Sequence, residues 1–170
     1  RTSGRSTSQI SLLVAMSNHQ TIIHIVSEQT MQNLLPILAL RPRRVIQLRT
    51  EGERFRKVAN AVISATRAAG LSTEFTEMVA QEPYPGVKAW RGLTAQALEQ
   101  APDAILNITG GTKLMSLGAF LAGEGRRVLY CDSDQQRFVS LGATMEMPCF
   151  RETAAQLTLP VVMAAHGIAA

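Results

Sequence analysis

The stretch AILNITGGTKLM, residues 104–115, joins an apolar run to a helix-forming run through two glycines. AILNIT, residues 104–109, is short and apolar, as a strand covered on both faces is. Gly110 and Gly111 make a tight turn, and TKLMSLGAFLAGEG, residues 112–125, continues as a helix. A strand that runs through a glycine turn into a helix is the repeating unit of α/β folds.

Working outward, the unit recurs. Downstream, RVLYCD (127–132) is a further strand, SDQQ a turn, and RFVSL (137–141) an antiparallel return strand. Upstream, TIIHIVS (21–27) is β-branched and short, as a buried parallel strand is. MQNLLPILAL (31–40) reads as a helix that Pro36 should start or kink. RVIQLR (44–49) is the second strand. The helix 53–69 follows, with Phe55, Val58, Ala59, Val62 and Ile63 on one face and Gly70 as its C-terminal cap. Residues 72–79 form a third strand. PYPG (83–86) is a loop, and Val87, Trp90, Leu93, Ala97 and Leu98 lie on the helix after it. The alternation predicts an α/β fold: a Rossmann-like, mostly parallel sheet flanked by helices, with an antiparallel return strand near the C-terminus. Ligands of such sheets sit at the carboxyl ends of strands. Two strand ends stand out, VSEQT (26–30) and NITGGTK (107–113).

Bulk properties bound the function. The 170 residues suit one domain with a full core. With 46% apolar and 18% charged residues the chain is globular rather than disordered. A net charge of +4 suits a phosphate-bearing ligand without demanding nucleic acid. The two cysteines, Cys131 and Cys149, form no CxxC pair, so no metal is expected, and they fit a reducing cytoplasm. No apolar run reaches the roughly 18 residues of a membrane span. The chain begins RTSGRSTS, so residues 1–19 read as a leader or linker that is poorly ordered.

The chemistry concentrates at NITGGTKLM. The helix after the glycines leaves its first N–H groups without intrahelical partners, and its dipole favours an anion there. Thr109 and Thr112 add hydroxyl donors. Lys113 adds a positive charge in the first turn, which costs the helix about 0.3–1 kcal/mol unless an anion binds beside it. The alternative is a plain turn whose lysine points to water. The Walker A pattern is absent, since Leu114 follows Lys113, and so is G-x-G-x-x-G, since Val128 stands where its third glycine should be.

HIVSEQTMQNLLPIL (24–38) and NITGGTKLMSLGAF (107–120) together resemble the CRISPR-associated Rossmann fold (CARF) domains of type III CRISPR ancillary effectors. The resemblance covers roughly residues 20–150, and TGGTK is its specific part. It implies a homodimeric sensor that binds cyclic oligoadenylate, cyclic tetra-adenylate first, across the dimer axis, with no other cofactor and no direct contact with DNA. By position, Ser27, Glu28 and Gln29 are expected near adenines or riboses. Thr109, Gly110, Gly111, Thr112 and Lys113 are expected near phosphates, with Asn33 and Thr50 as further contacts. Such domains continue into an effector, so residues 151–170 read as a linker or the entry to one. The location implied is cytoplasmic, although an anchor outside this sequence would fit. A second reading is a ring nuclease, in which a ribose 2′-oxygen attacks the neighbouring phosphate with Lys113 and Ser27 assisting. No histidine or acid is placed as a dedicated base. A third is a Rossmann domain for another nucleotide.

Other residues have plainer readings. His24 inside the first strand reads as a core or interface histidine. Asp132 and Asp134 belong to a solvated turn, Trp90 to the core with adenine stacking as the minor reading, and Cys131 is a small buried hydrophobe. Glu51 and Glu53 complement a helix dipole.

Overall fold

A computed structural model describes residues 20–82 and 84–168. The expected leader, 1–19, lies outside them. Six strands form one sheet: β1 (Thr21–Ile25), β2 (Arg44–Thr50), β3 (Glu74–Ala80), β4 (Ile105–Asn107), β5 (Val128–Asp132) and β6 (Arg137–Ser140). Their order is β3-β2-β1-β4-β5-β6. β1 to β5 run parallel, and β6 returns antiparallel to β5. This is the mostly parallel Rossmann-like sheet that the alternation predicts.

Two helices cover one face, α1 (Thr30–Leu40) and α2 (Glu53–Ala68). α3 (Val87–Gln100) and α4 (Lys113–Ala122) cover the other. Alternation along the strands feeds both layers. Ile22 and Val45 pack with Ile37 and Val62. Their neighbours Ile23 and Ile46 pack with Trp90, Ala97, Met115 and Ala119. After β3 the chain crosses through α3 to β4, on the far side of β1. Strand order reverses between β1 and β4, and a crevice opens at their carboxyl ends.

Pro36 does not start α1; the helix runs through it from Thr30 to Leu40. A proline cannot donate to the carbonyl four residues back, which here is Gln32. That carbonyl instead accepts the Asn107 side-chain amide at 3.1 Å. The gap in the helix thus becomes a tether to β4.

The C-terminal segment is helical and packed where it is described, residues 151–168. α5 (Phe150–Ala154) and α6 (Leu159–Ala165) pack onto the domain. Val161 and Ala165 join Leu34, Leu38 and Ala65 in a buried cluster. Phe150 lies 5.3 Å from Phe138, ring centre to ring centre. Among the described residues, no helix is long and apolar enough to cross a membrane.

Candidate functional site

The crevice is a cleft of about 640 Å³. The end of β1 contributes Val26, Ser27, Glu28 and Gln29, and α1 contributes Gln32. The turn after β4 and the start of α4 contribute Thr109, Gly111, Thr112, Leu114 and Met115. Thr50 of β2, Phe55 of α2, and Tyr84, Pro85, Gly86 and Trp90 at the entry to α3 complete the wall.

Backbone contact fixes the turn. A Cβ on Gly110 would stand 2.3 Å from the Ile25 carbonyl oxygen, so only glycine lets the two strand ends meet. Gly111 has φ +86°, a conformation side chains disfavour. Ser116 Oγ donates to the Gly110 carbonyl at 3.0 Å. Thr112 is the N-cap of α4, and its hydroxyl accepts the Met115 N–H at 3.4 Å. The N–H groups of Lys113 and Leu114 keep no backbone acceptor among the described residues. They are the donors that the sequence assigns to an anion.

Three expected contacts have other positions. Asn33 is fully buried and absent from the cleft wall; its Nδ2 donates to the Ile25 carbonyl at 3.0 Å and ties α1 to β1. Gly110 shapes the cleft from behind it, while Gly111 borders it. Lys113 is exposed and its side chain does not line the cleft. Thr109 borders the cleft, but its hydroxyl is engaged. It donates to Asn107 Oδ1 at 2.5 Å and accepts the Cys131 N–H at 2.7 Å. It is a staple between β4 and β5 rather than a free donor.

Ser27, Glu28, Gln29, Thr50 and Thr112 all border the cleft. Ser27 Oγ accepts the Gln29 N–H at 3.3 Å and lies 3.4 Å from Gln32 Oε1. Glu28 forms an exposed ion pair with Arg54. Sequence reasoning missed Gln32, Phe55, Tyr84, Leu114 and Met115 as wall residues and gave Trp90 mainly to the core. The signal available was position: Gln32 lies one helical turn past Gln29, and Tyr84 lies in the loop that leads to Trp90.

His24 and Cys131 are core residues, although neither ring nitrogen of His24 has a hydrogen-bond partner among the described residues. His24 is fully buried, and burial drives its imidazole from 6.5 down to about 3, so it is neutral. Burial first, and Asp132 second, push the Cys131 thiol up to about 11, which keeps it protonated and inert. Asp132 accepts from Gln135 N–H and Arg137 Nε within its turn.

A Rossmann-like sheet with a glycine turn and a helix N-terminus at its switch point defines a nucleotide- or phosphate-binding class of domain. The Card1 CARF domain family matches residues 21–148, and the chain belongs to that family. A comparison with curated proteins finds no match. Among solved structures, the chain is similar to Can2 from Sulfobacillus thermosulfidooxidans in complex with cyclic tetra-adenylate. The identity is 31% and the TM-score 0.75, over 88% of this chain and 41% of that one. It shares its fold with a type III CRISPR defence DNA nuclease activated by cyclic oligoadenylate, at 23% identity and TM-score 0.66, over 87% of this chain and 23% of that one. It also shares it with Enterococcus italicus Csm6 bound to cyclic hexa-2′-fluoro-hexa-dAMP, at 12% identity and TM-score 0.56, over 87% and 38%. The chain therefore spans well under half the length of these relatives.

Proposed function

We propose that this domain senses a cyclic oligoadenylate, cyclic tetra-adenylate in particular, as the ligand-binding part of a type III CRISPR effector. The observation that carries the reading is the cleft at the β1/β4 switch point, walled by the glycine turn and the free N–H groups of α4. Support comes from Can2, the 31% identical relative, whose structure holds cyclic tetra-adenylate. Phosphates would dock on the α4 N-terminus beside Thr112, with Ser27 and Gln29 near the adenines or riboses. The ring would lie across the axis of a homodimer, whose symmetry matches its own. Binding would then act on an attached effector through differential affinity for two dimer states.

The domain works as a sensor rather than as a ring nuclease in this proposal. Glu28 and Tyr84 are the only ionisable side chains on the cleft wall among the described residues, and Glu28 is paired with Arg54. A fast 2′-oxygen attack gains about 10²–10⁴-fold from a positioned base. Thermal unfolding tests the binding: cyclic tetra-adenylate should raise the melting temperature, while AMP, ATP and NAD at equal concentration should not. The expected stabilisation is about 2.7 kcal/mol at a hundred times the dissociation constant. A larger shift with ATP or NAD would replace this reading with a different nucleotide domain. Incubation of the ring in EDTA should leave most of it intact over minutes; rapid 2′,3′-cyclic phosphate products would instead mark a ring nuclease.

A further inference from the structure

The loop that enters α3 holds an aromatic ring out at the cleft. Tyr84 borders the cleft and is 96% exposed, more than any other large hydrophobic side chain among the described residues. A packed aromatic ring buries on the order of 150–250 Å², so Tyr84 gives the domain's own core almost nothing. Its position is nonetheless constrained. Pro85 follows it and confines the Tyr84 backbone to extended conformations. α3 then starts at Val87 and packs against α4: a Cβ on Gly118 would stand 2.6 Å from the Val87 carbonyl oxygen and 2.7 Å from the Trp90 Cβ. The loop is therefore anchored beside the helix whose N-terminus borders the cleft, and Tyr84, Thr112 and Leu114 line one space. Much of the remaining wall is carbon, from Val26, Phe55, Pro85 and Met115. An exposed aromatic ring on a mostly apolar cleft suits a flat heteroaromatic ligand.

We propose that Tyr84 is a stacking residue for an adenine of the bound ring. This rests on the oligoadenylate reading and deepens it: phosphates are held at the α4 N-terminus, and a base is covered by the Tyr84 ring. Every base has a π-face, so stacking supplies affinity without reading the base edge. A side chain already held out, on a backbone that proline has limited, loses little freedom when the base arrives. The phenol hydroxyl has no part in this contact, so phenylalanine serves as well as tyrosine. Stacking also differs from phosphate binding in its response to salt. Phosphate contacts weaken steeply as salt rises, because they depend on released counterions. A stacked ring is uncharged and contributes the same factor at low and high salt.

Titration of cyclic tetra-adenylate into the chain, Tyr84→Ala and Tyr84→Phe, each at about 50 and about 200 mM salt, tests the assignment. Tyr84→Ala should weaken the ring by about tenfold or more, the worth of one stacked base, and by the same factor at both salts. Tyr84→Phe should bind within about twofold of the unaltered chain. Without the ring, all three should unfold at the same midpoint, since so exposed a side chain is no part of the core. A ring carrying 2-aminopurine in place of adenine reads the contact directly. Stacking quenches its fluorescence, and at saturation the quenching should be weaker in Tyr84→Ala. Undiminished affinity in Tyr84→Ala, an equal loss in Tyr84→Phe, a loss that disappears at the higher salt, or unchanged quenching overturns the stacking assignment alone. Failure of the unaltered chain to bind the ring overturns the oligoadenylate reading and the assignment with it.

Discussion

Lys113 sits at the first position of α4, exposed, with its side chain off the cleft wall. Its charge opposes the helix dipole whenever no anion is docked there. Lys113→Ala should therefore leave the empty domain as stable or more so, by a few tenths of a kcal/mol. It should weaken the ring by about tenfold, since a charge-assisted hydrogen bond contributes about 1.5–3 kcal/mol when formed and the flexible arm recovers part of that. Calorimetry with cyclic tetra-adenylate checks this, and unchanged affinity would assign the phosphates to the backbone N–H groups alone. Two parts of the site differ in how far the sequence reveals them. The glycine turn is legible because Gly110 and Gly111 serve local geometry, which a contiguous segment encodes. The engagement of Thr109 and the burial of Asn33 are not legible. Both depend on partners that the fold brings together, Cys131 for one and the Ile25 carbonyl for the other.

Among the elements, α1 and the strands beneath it share a buried polar row. His24 on β1 lies in register with Gln47 on β2 and Asn107 on β4, and all three are fully buried. Asn107 does the most: it donates to the Gln32 carbonyl that Pro36 leaves free and accepts from the Thr109 N–H and hydroxyl. Asn107→Ala breaks these bonds and leaves a buried N–H unpaired. The loss should be about 3 kcal/mol in denaturant unfolding. A change under about 0.5 kcal/mol would mean that the row is not structural. His24 gives the row a pH dependence. Its folded value, about 3, lies below the unfolded 6.5, so the unfolded chain binds the extra proton between them. Its contribution to stability is complete above pH 6.5 and is lost as the pH falls toward 3. At pH 5 the loss should be about 2 kcal/mol. His24→Leu should flatten unfolding midpoints measured between pH 7.5 and pH 5, and an equally steep variant would place the titration elsewhere. Pro36 shows why sequence reasoning stopped short here. The sequence places the proline inside the helix, but the β4 partner that takes up the freed Gln32 carbonyl comes from the fold.

For the whole molecule, the sheet and its crevice were legible because hydrophobic period and glycine position fix strands and helices locally. The packing of α5 and α6 was not, since five- and seven-residue helices carry too little periodicity to register. The proposed dimer would use a feature that a single chain leaves uncovered. α4 exposes Leu114, Leu117, Phe120 and Leu121, each between 39% and 53% exposed. Positions 114, 117 and 121 share one stripe of the helix. Contiguous exposed apolar surface of this kind marks protein contact. Leu114 also borders the cleft, so the stripe runs from the ligand site outward. Pairing two copies through α4 would place two clefts side by side and cover the stripe. A charge at the middle of the stripe should prevent this, because burying it unpaired costs several kcal/mol. Leu117→Glu should therefore yield a monomer by light scattering at micromolar concentration, where the unaltered chain is expected to be a dimer. Its unfolding midpoint at low concentration should stay close to that of the dissociated chain, since Leu117 is not in the core. Its affinity for cyclic tetra-adenylate should fall at least a hundredfold, because the ring loses one of its two half-sites and the effective concentration they share. Calorimetry should give one ring per two chains before the substitution. A Leu117→Glu variant that remains dimeric would move the interface away from α4. A monomeric variant that binds the ring undiminished would show that one cleft is sufficient and that the ring does not bridge two chains.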